Sequence, residues 1–286
     1  MAPFKVLVLL WLLLVTGGAQ AIPLQLESNR PGSILITLQG RLDGQPYPFK
    51  LDTGAFFSSV IEDDFTKKYR ARGIIQHGSL SDRVNNCDRI RVNIFYLFNV
   101  EYSDFDFARC KSDLLFNLLG MDALNGHVWL FNFYQMQLVP LNSAPPHWKY
   151  YPLKKLSHGH ISIPLKIEGR EVNAMVDTGG QQTVVDLLYI KQNQHLFTRK
   201  REETAYDLAG KPVPVTVYAI RSLEVGTKKY QDVEVLGVNS LLLRAYLGAN
   251  TPVVLGNDIF VRSNWVLDLK SNQWAVFGDI QLRFAK

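Results

Sequence analysis

Two stretches of this chain repeat one pattern, and a repeat of that length limits the possible folds more than any other feature. Residues 33–54 run from Ser33 through Asp43-Gly44 to Asp52-Thr53-Gly54, and residues 160–179 run from His160 through Glu168-Gly169 to Asp177-Thr178-Gly179. Each alternates apolar and polar residues, turns at an acidic-Gly pair, alternates again and ends in Asp-Thr-Gly. That is the pattern of a β-hairpin whose second strand delivers the triplet. Beyond the triplets, Ser58-Ser59-Val60-Ile61 and Thr183-Val184-Val185 lead into segments expected to be short helices.

The similarity continues further along. Leu118-Leu119-Gly120-Met121-Asp122 aligns with Val254-Leu255-Gly256-Asn257-Asp258, and each Gly is followed nine residues later by a Trp, Trp129 and Trp265. The strands that start there also match, with Trp129-Leu-Phe-Asn132 set against Trp265-Val-Leu-Asp268. Between the copies, Ser143-Ala-Pro-Pro-His147 has the composition of a linker. The expected organisation is a leader over residues 1–21, a first half over 22–145 and a second half over 146–286. In the second half, Tyr206–Leu208 and Val213–Ile220 flank Ala209-Gly210-Lys211-Pro212 as a candidate flap hairpin. The same offset in the first half falls at Val84–Asn86, beside Cys87.

One Asp-Thr-Gly reads as an ordinary turn. Two copies, each after an apolar strand and ahead of an apolar-apolar-Gly, resemble the aspartic peptidases, and the halves are most similar to the retroviral-type (retropepsin-like) subunit. The resemblance covers nearly all of the chain beyond the leader. It implies an all-β fold of two tandem closed β-barrel halves in a pseudo-twofold, bilobal arrangement. It also implies a secreted endopeptidase in which Asp52 and Asp177 form one dyad that activates water and protonates the peptide carbonyl. Two like charges about 3 Å apart at an effective dielectric near 20 repel by roughly 5 kcal/mol, so the pair shares one proton. The resemblance gives Thr53 and Thr178 a hydrogen bond across the axis, and gives Gly54 and Gly179 close backbone approach to the carboxylates. Leu119-Gly120 and Leu255-Gly256 become supports beneath the loops. It calls for no metal and no cofactor. The implied partner is a polypeptide substrate, bound by a monomer whose two halves pair within one chain. A catalytically silent peptide-binding or inhibitory module on the same fold is the alternative.

Pepsin-type enzymes carry a hydroxyl residue directly after the triplet; this chain has Ala55 and Gly180. With neither hydroxyl present, the dyad is expected to hold its proton to higher pH and to work best at mildly acidic pH.

Residues 1–21 hold Lys5, an apolar run from Val6 to Val15 and the small-x-small end Ala19-Gln20-Ala21. This is the layout of a cleavable secretory signal, and it predicts a secreted or periplasmic protein with no membrane attachment after cleavage. The formal net charge is +5, with the basic residues scattered apart from Arg199-Lys200-Arg201, and no nucleic-acid recognition motif is present. Gly-x-Ser-x-Gly, His-Glu-x-x-His and phosphate-binding Gly loops are absent too. Cys87 and Cys110 are the only cysteines; in an oxidising compartment they suggest a disulfide worth roughly 3 kcal/mol, with two buried free thiols as the other reading. His158 and His160 read as a surface pair. Phe56, Phe57, Phe95, Tyr96 and Tyr218 are either an apolar subsite or core.

Overall fold

A computed structural model describes residues 21–27, 34–78, 84–111, 115–156, 159–207, 210–248 and 250–280. Apart from Ala21, the leader lies outside the described residues. The two hairpins form as read from the sequence. Strand Leu35–Leu42 pairs with Gln45–Leu51, and Ile161–Ile167 with Arg170–Val176. Both turn residues have positive φ in each case, 43° and 85° at Asp43-Gly44 and 50° and 79° at Glu168-Gly169. This twist matches that of the flanking strands, which is why an acidic-Gly pair serves here.

Each hairpin belongs to a sheet that closes on itself. In the first, Leu35–Leu42, Gln45–Leu51, Leu118–Leu119, Ser59–Ile61, Val100–Cys110 and Val84–Leu97 follow one another, and the last returns to the first through Arg41↔Tyr96 and Leu42↔Phe95. In the second, the order is Ile161–Ile167, Arg170–Val176, Val253–Leu255, Val184–Asp186, Lys228–Val238 and Pro212–Val225, with return pairs Lys166↔Glu224 and Ile167↔Leu223. The turn carboxylates tie the closing strands down. Asp43 accepts the Ile94 N–H at 2.9 Å, and Glu168 accepts the Ser222 N–H at the same distance. Closure removes the free edges that a six-stranded sheet would otherwise present.

A further strand extends each closing strand outward, Ile74–Gly78 beside Val84–Leu97 and Thr198–Tyr206 beside Pro212–Val225. These two hairpins are the candidate flaps; residues 79–83 and 208–209 at their tips lie outside the described residues.

A third sheet joins the barrels. Its order is Ile22–Pro23, Gln137–Leu141, Val128–Asn132, Asn264–Asp268, Gln273–Phe277 and Tyr151–Pro152. The central strands are antiparallel, with Trp129↔Leu267, Leu130↔Val266 and Phe131↔Trp265. Each repeated Trp anchors the short helix before it, Trp129 donating its indole N–H to Leu124 O at 2.9 Å and Trp265 to Phe260 O at 2.6 Å. Both Trp rings are fully buried in a core cluster that runs through both barrels, and burial of rings this large contributes roughly 2–3 kcal/mol each. No helix among the described residues is long and apolar enough to cross a membrane.

Candidate active site

Strand pairing brings the two triplets together. Leu51 pairs in parallel with Leu119 and Val176 with Leu255, so each triplet starts where a paired strand ends. The next backbone step holds the aspartates, with Asp52 N–H donating to Leu119 O at 2.9 Å and Asp177 N–H to Leu255 O at 3.0 Å. Past each Leu-Gly, the chain grips the loop after the triplet. Met121 and Asp122 donate their N–H groups to Ala55 O and Phe56 O, both at 2.9 Å. Asn257 and Asp258 do the same to Gly180 O and Gln181 O at 2.8 and 3.2 Å. Gly120 and Gly256 sit so close to this loop that a Cβ on Gly120 would meet the Phe57 carbonyl carbon at 2.8 Å, and one on Gly256 the Gln182 carbonyl carbon at 2.5 Å. The Leu-Gly pairs therefore act as the supports the resemblance implied.

Four further residues complete these supports. Ser58 Oγ donates to Asp122 at 2.6 Å and accepts the Gly120 N–H at 3.0 Å, while Thr183 Oγ1 donates to Asp258 at 2.8 Å and accepts the Gly256 N–H at 3.2 Å. Burial raises both carboxyls, Asp122 and Asp258, to about 6, against the pull of these donors. Sequence reasoning assigned none of these four a role. The signal was present in the shared Gly-x-Asp of the aligned segments, Gly120-Met121-Asp122 and Gly256-Asn257-Asp258.

The triplets interlock across the junction of the barrels. Thr53 donates its N–H to Thr178 Oγ1 at 3.0 Å and its hydroxyl to Val176 O at 2.7 Å, while Thr178 donates its N–H to Thr53 Oγ1 at 3.0 Å. Both threonines are fully buried. The glycines cross over as well: a Cβ on Gly54 would lie 2.5 Å from Asp177 Cγ, and one on Gly179 would strike the Asp52 carboxyl. Each Gly thus makes room for the carboxyl of the opposite triplet.

The Asp52 and Asp177 carboxyls hydrogen-bond to one another. Asp52 is buried, whereas Asp177 keeps a half-buried edge. Burial pushes both above the usual carboxylate range, and at Asp52 the charge and hydrogen bond of Asp177 act in the same direction. Asp177 is held back by N–H donors, Gly179 at 2.9 Å and Gly180 at 3.0 Å, and by the nearby His160. Asp52 likewise accepts two backbone N–H groups, that of Ala55 at 3.0 Å and that of Gly54. Gly180 lacks a hydroxyl, yet its backbone still serves the carboxylate.

The reading of His158 and His160 as a surface pair does not hold for His160. His158 lies outside the described residues, but His160 is only 9% exposed, and its Nε2 is 2.8 Å from Gly54 O. Strand alternation does not show that its strand begins beneath the opposite triplet. Just before it, Gly159 has φ of 81° and packs against the Phe56 ring, leaving no room for a side chain. Of the other aromatic residues, Phe95 is core, packed against Phe49 and Phe107. The turn of the second flap reaches the first barrel, since a Cβ on Gly210 would lie 3.5 Å from Leu115 Cδ1.

Cys87 and Cys110 form a disulfide with Cα atoms 4.5 Å apart. It joins neighbouring strands of the first barrel at the base of its flap, one pair beyond Asp88↔Arg109. In the second barrel, Val238 pairs with Asp186 as Cys110 pairs with Ile61, and it packs in an apolar cluster with Val215 and Val217.

Residues 163–259 match the family model described as aspartyl protease. That stretch is similar to an aspartyl protease domain. It contains Asp177-Thr178-Gly179 and Leu255-Gly256, with Asp258 close to its end. No curated protein matches the chain. The other carboxyl, Asp52, comes from outside the matched stretch.

Proposed function

We propose that the chain is a secreted or periplasmic aspartic endopeptidase in which Asp52 and Asp177 act as one water-activating dyad at mildly acidic pH. The observation that carries this reading is the reciprocal crossing of the triplets, with Gly54 beneath the Asp177 carboxyl and Gly179 beneath that of Asp52. Carboxyls held that close in a buried setting cannot both ionise, and one shared proton provides a base and an acid in the same site. Asp177, with its half-buried edge and His160 nearby, is the partner that takes a proton from water. Asp52, the more buried of the two, holds the shared proton and gives it to the carbonyl oxygen of the scissile bond.

The substrate is an extended polypeptide lying between the barrels beneath the two flap hairpins, paired as an added strand. Contact between the second flap and Leu115 favours an enclosed path rather than an open surface. Pairing of the halves within one chain, as a monomer, is the reading that the shared six-stranded sheet and the Thr53–Thr178 interlock support. Cleavage of the leader at Ala21 would leave Ile22, which starts the outermost strand of that sheet, as the first residue.

The test is incubation of the chain lacking residues 1–21 with a denatured protein between about pH 3 and 7, beside the Asp52→Asn and Asp177→Asn variants. Fragments are expected from the parent, with loss of about a thousandfold or more in each variant. Cleavage that survives both substitutions would remove the dyad from the chemistry, and specific peptide binding without cleavage would favour the silent module.

A further inference from the structure

With the two Asp-Thr-Gly triplets and the strand registers superposed, His160 of the second hairpin stands where the first has Leu35. A leucine side chain carries no charge, whereas an imidazole can. His160 is held firmly. Its carbonyl accepts the Leu156 N–H at 2.8 Å, and Gly159 N–H bonds Leu156 O at 3.0 Å, closing a tight turn against Phe56. The ring reaches across to the opposite barrel, where Nε2 meets Gly54 O at 2.8 Å. A carbonyl oxygen only accepts, so Nε2 carries a proton whether the ring is neutral or charged. Gly54 is the residue whose missing side chain leaves space for the Asp177 carboxyl. His160 therefore grips the first triplet loop at the spot where the second triplet's carboxylate sits, and its charge acts favourably on the ionised form of Asp177.

We propose that His160 is a positioning residue for the dyad: its Nε2–H fixes the Gly54 loop, and its imidazolium charge stabilises the ionised Asp177 so that the active, singly protonated pair persists to lower pH. This rests on the dyad reading given above. The charged group that acts on the ring is Asp177 of the second triplet, to which Asp52 is hydrogen-bonded. The strand Lys154–Lys155, which pairs with Ile161–Ile167, brings two cations into the neighbourhood, but Lys154 is exposed and Lys155 donates to Leu269 O at 3.1 Å. The loop after the first triplet places the uncharged Phe56 ring against the neighbouring Gly159. Asp258, beneath the second loop, is occupied with Thr183.

The sign follows directly. Activity needs one negative charge on the pair, and the acid limb of the rate profile marks its protonation. A cation beside Asp177 moves that limb to lower pH, so removal of the cation moves it up. His160→Gln keeps an N–H of similar reach without the charge, and His160→Ala removes both. The acid limb of kcat/KM is expected to rise by about one pH unit in His160→Gln. In His160→Ala it should rise similarly, with kcat at the optimum falling a further tenfold or so as the Gly54 loop loses its anchor.

A second readout does not depend on turnover: the His160 ring is titrated by NMR in the parent and in Asp177→Asn. Coupling is reciprocal, so loss of the carboxylate should lower the His160 midpoint by about the same unit. Superimposable acid limbs for His160→Gln and parent, or an unmoved His160 midpoint in Asp177→Asn, would overturn the proposal. A parent that cleaves nothing while the NMR coupling is present would count against the peptidase and still support the coupling.

Discussion

Thr53 and Thr178 exchange hydrogen bonds across the junction of the two barrels, each backbone N–H donating to the other's Oγ1 at 3.0 Å in a fully buried setting. The contact joins residues 125 apart in sequence and makes each triplet loop depend on the other. Thr53→Val keeps the shape but leaves the Thr178 N–H and Val176 O without their partner. Buried unsatisfied groups cost about 1–3 kcal/mol each, so a loss of about 2–5 kcal/mol is expected in chemical denaturation. Activity should fall more steeply than stability alone explains, because the dyad loses its alignment.

The glycines offer a graded test of how closely the carboxyls must approach. Gly54→Ala places a Cβ 2.5 Å from Asp177 Cγ, whereas Gly180→Ala places one 3.1 Å from Asp177 Oδ2. The first must displace the carboxyl, and displacement of a reacting group by about 1 Å costs roughly a hundredfold in rate. The second needs only a few tenths of an ångström of give, and a loss under about tenfold is expected in kcat. Equal rates for the two variants would show that the carboxyl spacing is not critical.

Stability should decline as pH rises from about 4 to 6. Asp122 and Asp258 have folded values of about 6 against 3.8 for the model carboxyl, so in that window the native state holds protons the unfolded chain has released. Each group can remove about 2–3 kcal/mol across the window, and the dyad pushes in the same direction. Carboxylates held low by partners act oppositely at more acidic pH: Glu27, with Lys50 and Thr37, and Asp106, with Arg91 and Arg89, lose stabilisation as they protonate. Thermal unfolding followed against pH should therefore peak on the acid side of neutrality, near or below pH 5. A Tm that climbs steadily from pH 4 to 7 would contradict the burial of the two supporting aspartates.

The Cys87–Cys110 bond staples the base of the first flap. Its loop, with a sequence separation of 23, predicts about 3 kcal/mol of stabilisation. Cys87→Ser with Cys110→Ser should lower Tm by about 6–12 °C. The second barrel has Val215 and Val238 in the corresponding cluster, and replacing both cysteines with Val should recover part of that loss.

The legible features were those carried by local pattern. Alternation and the acidic-Gly turns located both hairpins, the shared Trp offset located the central strands, and the paired triplets located the two carboxyls. What went unseen depended on contacts between distant segments. Asp122 and Asp258 looked like ordinary acidic residues after a Gly, and only the fold shows Ser58 and Thr183 bonded to them. His160 looked like one of two surface imidazoles, and it became a neighbour of Gly54 because the opposite barrel places that residue 106 positions away beside it.

The sequence by itself determined the repeated unit, because periodicity, turn chemistry and the Asp-Thr-Gly endings are written into neighbouring residues and survive without knowledge of the rest of the chain. Only the tertiary structure decided how the two units differ where they meet. Asp177 has a nearby imidazole while Asp52 is more deeply buried, and this asymmetry arises from packing across the junction, where burial and through-space charge act between residues that the chain order keeps apart.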